Sequence, residues 1–213
     1  AREVPNGMES IQEALMGDIV VCENNELEFQ FELAGHCGIE RVEIRDGSEV
    51  LECIRPSDDL RMTGHRVRIQ CEGAEYRGRG RLVSWDVAVK FSDATIQKTQ
   101  AFNFWNPDKP VSSEGSVAQW SNVTTGGMHC VDFWLDNATE GTLSFESQVT
   151  SFEVQMSSLG TSDYQVDCGG LDKAVRIFRL CDDPLPAMLR EIRRIPLTAD
   201  HERRLYLKVI FED

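Results

Sequence analysis

The feature that most limits what this chain can fold into is a two-residue rhythm. Leu27-Glu28-Phe29-Gln30-Phe31-Glu32-Leu33 alternates apolar and polar residues without a break. Successive side chains point to opposite sides only in extended backbone, so the run predicts a strand with one face in a core and one in water. The signal returns at Ile39 to Arg45 with Val42 and Ile44 inward, at Val67 to Cys71, at Val83 to Phe91 and at Leu205 to Phe211. Asp46-Gly47 is a turn pair, and Val50 to Ile54 reads as the returning partner strand. Shorter strands are expected around 95–104, 117–123, 128–135, 142–147, 149–156, 164–168 and 174–180, separated by Gly-, Asn- and Asp-rich turns. Many short strands at near-regular spacing define an all-β sandwich or barrel. One short N-terminal helix is expected at Met8 to Met16, capped by Asn6 and ended by Gly17. Residues 184–197, punctuated by Pro184, Pro186 and Pro196, read either as a helical turn or as an irregular edge strand.

Charge and cysteine usage exclude several functions. The chain has 213 residues with 22 Lys and Arg against 36 Asp and Glu, a net charge of −14. Phosphate neutralisation needs a basic surface, so neither nucleic acid nor anionic lipid is an expected partner. No apolar run reaches the roughly 18 residues of a spanning helix. Only 5 of the 22 basic residues are Lys, which suits either a salt-adapted surface or an ordinary acidic cytosolic one. The seven cysteines are odd in number and include no close pair of the kind that zinc and redox sites use. They read as small buried hydrophobes, Cys53 and Cys71 among them, in a reducing compartment, hence a cytoplasmic protein. Two glycosylation sequons, at Asn122 and Asn137, read as chance matches.

Chemistry-bearing residues are scattered. His36, His65, His129 and His201 form no ligand spacing, and no nucleophile elbow, phosphate loop or calcium loop occurs. No catalytic residue, metal or cofactor is therefore assigned. His36 and Cys37 adjoin in Gly35-His36-Cys37-Gly38, which reads as an interstrand turn. Tyr76-Arg77-Gly78-Arg79-Gly80-Arg81, with Arg66 and Arg68 upstream, concentrates five Arg in a short span. Such a run is either a surface for an anion or a carboxylate-rich partner, working through bidentate guanidinium contacts, or, more plainly, a strand or hairpin whose exposed Arg pair with nearby acids. Trp85, Trp105, Trp120 and Trp134 suggest either a sugar-stacking platform or sandwich core, and Trp85 falls in the apolar register of its strand. Phe102, Phe104 and Trp105 form a candidate loop cluster. The candidate ligand surface is Arg77, Arg79, Arg81, Trp105 and Trp134.

Motifs along most of the chain resemble a bacterial family, the domain-of-unknown-function family 3604. They are Glu13-Ala14-Leu15-Met16-Gly17-Asp18-Ile19-Val20, the strand pair from Ile39 through Pro56, Gly73 to Arg81 with Trp85-Asp86, Phe102-Asn103-Phe104 with Asn106-Pro107-Asp108-Lys109, Trp120 with Thr124-Thr125-Gly126, and Gly169-Gly170-Leu171. The resemblance implies a β-rich C-terminal region that follows a PHP- or amidohydrolase-like metal domain, whose ligands have no counterparts here. It implies a non-catalytic accessory or interaction region of a larger metal-dependent hydrolase, with the upstream metal domain as partner. The alternative is a carbohydrate- or ligand-binding sandwich. The missing initiator Met and the end of the chain in a strand pattern lead us to expect a fragment. A further family strand lacks a counterpart here, so pairing between copies through sheet edges is also expected. The expected layout is a helical junction over 1–16, an immunoglobulin-like sandwich from 17–56 and 184–213, and a second, larger β-sandwich over 60–182 inserted into it.

Overall fold

A computed structural model describes residues 25–56, 64–106, 108–159, 163–197 and 202–212, together with 15 and 17–19. In chain order its strands are β1 (Glu26–Ala34), β2 (Ile39–Asp46), β3 (Glu49–Ile54), β4 (Arg66–Ala74), β5 (Val83–Phe91), β6 (Ile96–Phe102), β7 (Ser112–Glu114), β8 (Val117–Thr124), β9 (Met128–Leu135), β10 (Thr142–Ser147), β11 (Ser151–Gln155), β12 (Tyr164–Asp167), β13 (Leu171–Leu180), β14 (Met188–Pro196) and β15 (Leu205–Phe211). Among the described residues the one helical element is a single 3-10 turn, Met156–Ser158. The protein is all-β. The expected helix at Met8 to Met16 lies outside the described residues except for Leu15, an exposed residue that closes a turn with Asp18.

The chain divides into two compact units. The smaller draws on Ala1–Pro56 and Leu185–Glu212. It holds a two-stranded sheet, β1-β14, and a three-stranded sheet, β15-β2-β3. The alternation of β2 and β15 sets their register, with Val42 opposite Val209 and Ile44 opposite Leu207. Phe31, Ile39, Val42, Ile44, Ile54 and Ile195 form the buried core, flanked by half-buried Phe29, Leu33 and Phe211. The proline-bounded stretch 184–197 resolves as strand: β14 pairs with β1 from Met188 to Pro196, and Pro196 takes the last position, where a missing N–H costs least.

The larger unit spans Ser57–Pro184 and contains two five-stranded sheets, β11-β10-β5-β8-β7 and β12-β13-β4-β9-β6. Their facing sides share one core. Val83, Trp85, Val87, Val89 and Phe91 of β5 point from the first sheet, and Val67, Ile69 and Cys71 of β4 with Val131, Phe133 and Leu135 of β9 point from the second. This is a β-sandwich. β7 escaped the periodicity because three residues are too few to show one.

Two expectations need correction. Cys53 is exposed rather than buried: β3 is an edge strand, and Cys53 stands opposite Glu43, on the face turned away from Val42 and Ile54. Strand β2 does not have a wet outer side, because Glu40, Arg41 and Glu43 are buried along with Val42 and Ile44.

Candidate functional site: the loop end of the larger sandwich

Strand direction gathers several loops at one end of the larger unit. β4 ends at Ala74, opposite Leu171 at the start of β13, and β5 starts at Val83, opposite Thr124 at the end of β8. Phe102, the end of β6, stands opposite Cys130 near the start of β9. The β4–β5, β6–β7 and β8–β9 loops therefore all cross from one sheet to the other at this end. Gly73 ties two of them together. Its N–H donates to Gly127 O and its carbonyl accepts from Gly126 N–H, both at 2.9 Å. At φ +94° it has a backbone that L side chains rarely adopt, and a Cβ there would run into the backbone of Asp172 and Lys173.

Three of the predicted ligand residues lie on the β4–β5 loop. Arg77, Arg79 and Arg81 are exposed, interleaved with Gly78 and Gly80 at φ +91° and +84°. Gly80 closes the loop in a left-handed backbone that L side chains rarely adopt. Among the described residues none of the three guanidinium groups has an ion-pair or hydrogen-bond partner. The plainer expectation, that they pair with nearby acids, is overturned: Glu72 is held by Arg176 and Glu75 by Lys173, each at 2.6 Å. The span of five Arg also splits. Arg66 and Arg68 are buried in β4, where both bind Asp132, with Nε–O distances of 2.7 and 2.6 Å.

Trp105 belongs to the same end, and its neighbours show why it faces out. Asn103 takes φ +55°, a left-handed turn that asparagine tolerates, and reverses the chain. Phe104 turns inward, edge-to-face against His129 with centroids 5.5 Å apart. Asn122 then clamps the turn: its Oδ1 accepts from Trp105 N–H at 3.0 Å and its Nδ2 donates to Asn103 O at 3.4 Å. The Trp105 side chain is left 81% exposed. The expected cluster of Phe102, Phe104 and Trp105 is therefore three separate environments, since Phe102 lies 4.7 Å from the Arg68 guanidinium. Asn122 was read only as a chance sequon; its side chain is buried and engaged as a clamp.

Trp134 is not part of this end. It sits opposite Arg66 near the far end of β9, six residues from Met128, or about 20 Å along a strand. Two cations stack over its ring, Arg66 at 4.9 Å and Lys98 at 4.2 Å, one from each neighbouring strand. Trp85 and Trp120 are core. Their indole N–H groups donate to Thr124 Oγ1 at 2.9 Å and to His129 Nε2 at 3.2 Å.

His65 and His129, the described histidines of the larger unit, do not converge. His65 precedes β4 and His129 pairs with Cys71, again about 20 Å apart along the strand. His36 belongs to the smaller unit, where its Nε2 lies 3.6 Å from Cys37 Sγ, and His201 lies outside the described residues. Burial drives the His129 pKa down to about 4, which keeps the ring neutral and able to accept from Trp120. Among the described residues no group of three or more His, Cys, Asp or Glu is arranged to hold a metal ion, and no helix is long and apolar enough to cross a membrane. No protein-family model, curated protein or solved structure matches the chain.

Proposed function

We propose that this chain is a non-catalytic interaction module, the accessory region of a larger metal-dependent hydrolase of the family its motifs resemble, and that it works through the loop end of the larger sandwich. One observation carries the reading. Buried charges elsewhere in the larger unit are consumed in structural pairings such as Arg66–Asp132–Arg68, whereas among the described residues the guanidinium groups of Arg77, Arg79 and Arg81 have no partner and the Trp105 side chain is held out in solvent. Loops fixed on a rigid sandwich are where recognition residues concentrate. The proposal includes the immunoglobulin-like character of the smaller unit, a cytoplasmic location, the upstream metal domain of the same polypeptide as partner, and association of copies through sheet edges such as β3.

The test is the metal content and hydrolytic activity of this chain, purified from zinc- and manganese-supplemented medium and assayed on nitrophenyl phosphate, ester and amide substrates. The expected result is metal well below one equivalent and no turnover. One equivalent of retained zinc or manganese together with turnover would overturn the reading.

A further inference from the structure

We infer that the loop end binds a short acidic oligosaccharide, its carboxylates on Arg77, Arg79 and Arg81 and a sugar ring against Trp105; this rests on the loop end being the interaction surface. Three observations select that chemistry. First, among the described residues the three guanidinium groups have no carboxylate partner, and guanidinium matches carboxylate through two parallel hydrogen bonds. Second, Trp105 offers a flat face in water while Phe104 beside it turns into the core. A single exposed indole suits the apolar face of a pyranose better than it suits an amphipathic helix, which needs a row of apolar contacts. Third, the chain as a whole, these Arg included, carries a net charge of −14. At physiological ionic strength charges are screened beyond about 8 Å. A short anion resting on the loops meets the Arg, whereas a long polyanion also meets the acidic body.

In each sheet one strand, β9 or β8, separates the strands that carry the Arg loop from those that carry Trp105, so the two loops leave the sandwich two strand spacings apart, about 10 Å. A short oligomer reaches both, with carboxylates on the Arg and a ring on Trp105. An acidic peptide would use the same Arg side chains, but peptides that dock through the backbone add to a sheet edge, and this end presents turns.

Titration calorimetry at low and at physiological salt tests the inference with three probes: trigalacturonate, the neutral trimer maltotriose and hexaglutamate. Trigalacturonate is expected to bind, maltotriose at least tenfold more weakly, and hexaglutamate at least tenfold more weakly. Both the R77A/R79A/R81A triple variant and W105A are expected to weaken trigalacturonate binding about tenfold or more. All of these positions are exposed, and unchanged thermal melting will verify that the variants fold. The inference is overturned by no binding of trigalacturonate at 10 mM (on the order of the weakest specific affinities), by hexaglutamate binding as tightly, or by loss in only one of the two variants. Such a failure leaves the accessory-module reading intact, because that reading falls on retained metal and turnover.

Discussion

In the smaller unit Glu40 and Glu43 face Arg41 and Arg55 on and beside β2; in the larger, Arg66 and Arg68 of β4 share the single carboxylate of Asp132. The two networks occupy similar places, on central strands whose alternate residues fill a core, and all these side chains are buried. They differ in what lies on the other side of the strand. Among the described residues the larger unit sets its network against a core cluster of twenty-two buried apolar residues, the smaller against one of six. A network of charges adds little net stability once its desolvation cost is counted, yet breaking it is expensive. The contrast teaches that the same kind of polar device is a minor part of one unit and a large part of the other.

The largest expected effect breaks the larger network. Asp132→Asn leaves two buried guanidinium groups on a neutral amide and should cost about 3–5 kcal/mol. All four tryptophans lie in the larger unit, so the loss appears as an earlier urea transition in tryptophan fluorescence. An unchanged transition would mean that this network is not what its burial implies. Next come matched cavities. Ile69→Ala and Ile44→Ala each empty a fully buried site and should cost about 2–5 kcal/mol. Only the former should move the fluorescence transition; Ile44→Ala should show in far-ultraviolet circular dichroism, leaving the fluorescence midpoint in place. Equal movement of both probes in both variants would remove the distinction between the units.

Acid sharpens the comparison further. His129 titrates at about 4 when folded against an ordinary 6.5, so the unfolded chain binds the extra proton between those values. Its contribution is complete above pH 6.5 and falls away by about 3 kcal/mol as pH drops to about 4. For Glu43 burial alone would raise the carboxyl, but the hydrogen bond from Arg41 and the charges of Arg41, Lys208 and Arg45 hold it below its ordinary value. That contribution is present above the ordinary 4.5 and is lost as pH falls through the lower folded value. The larger unit should therefore lose stability at milder acidity than the smaller. A fluorescence midpoint that stays flat from pH 7 to 5 would refute this, and His129→Phe should abolish the slope. The smallest effect belongs to the loop end. Trp105→Ala and the R77A/R79A/R81A variant should change stability by less than about 0.5 kcal/mol, since none of these side chains packs inside.

Strands were legible because period two survives wherever one face is buried. Leu27 to Leu33 and Val83 to Phe91 show it cleanly, and both are strands of nine residues. The same rhythm names a face without saying whether that face stays wet, which is why Arg41 and Glu43 read as solvated. Prolines at both ends and the three-residue spacing of Leu189, Ile192 and Ile195 left β14 open between a helical turn and an edge strand. The Arg-Gly alternation at 77–81 marked exposed arginines, but not that the nearby Glu72 and Glu75 are taken by Arg176 and Lys173. The outward turn of Trp105 was illegible, because it depends on the left-handed Asn103 and on a clamp from Asn122, nineteen residues away from Asn103.

One feature of the topology reaches into folding order. Arg66, where β4 begins, stands directly opposite Leu180, where β13 ends. The larger sandwich thus receives the polypeptide and returns it at neighbouring points, roughly 5 Å apart. Before that sandwich forms, the remote partners Leu33 and Leu189 must find each other across a long, loose loop. Once it has formed, the intervening chain is short-circuited and the search becomes local. The inserted body acts as its host's own clasp, so refolding should recover tryptophan emission first and the remaining β-signal second.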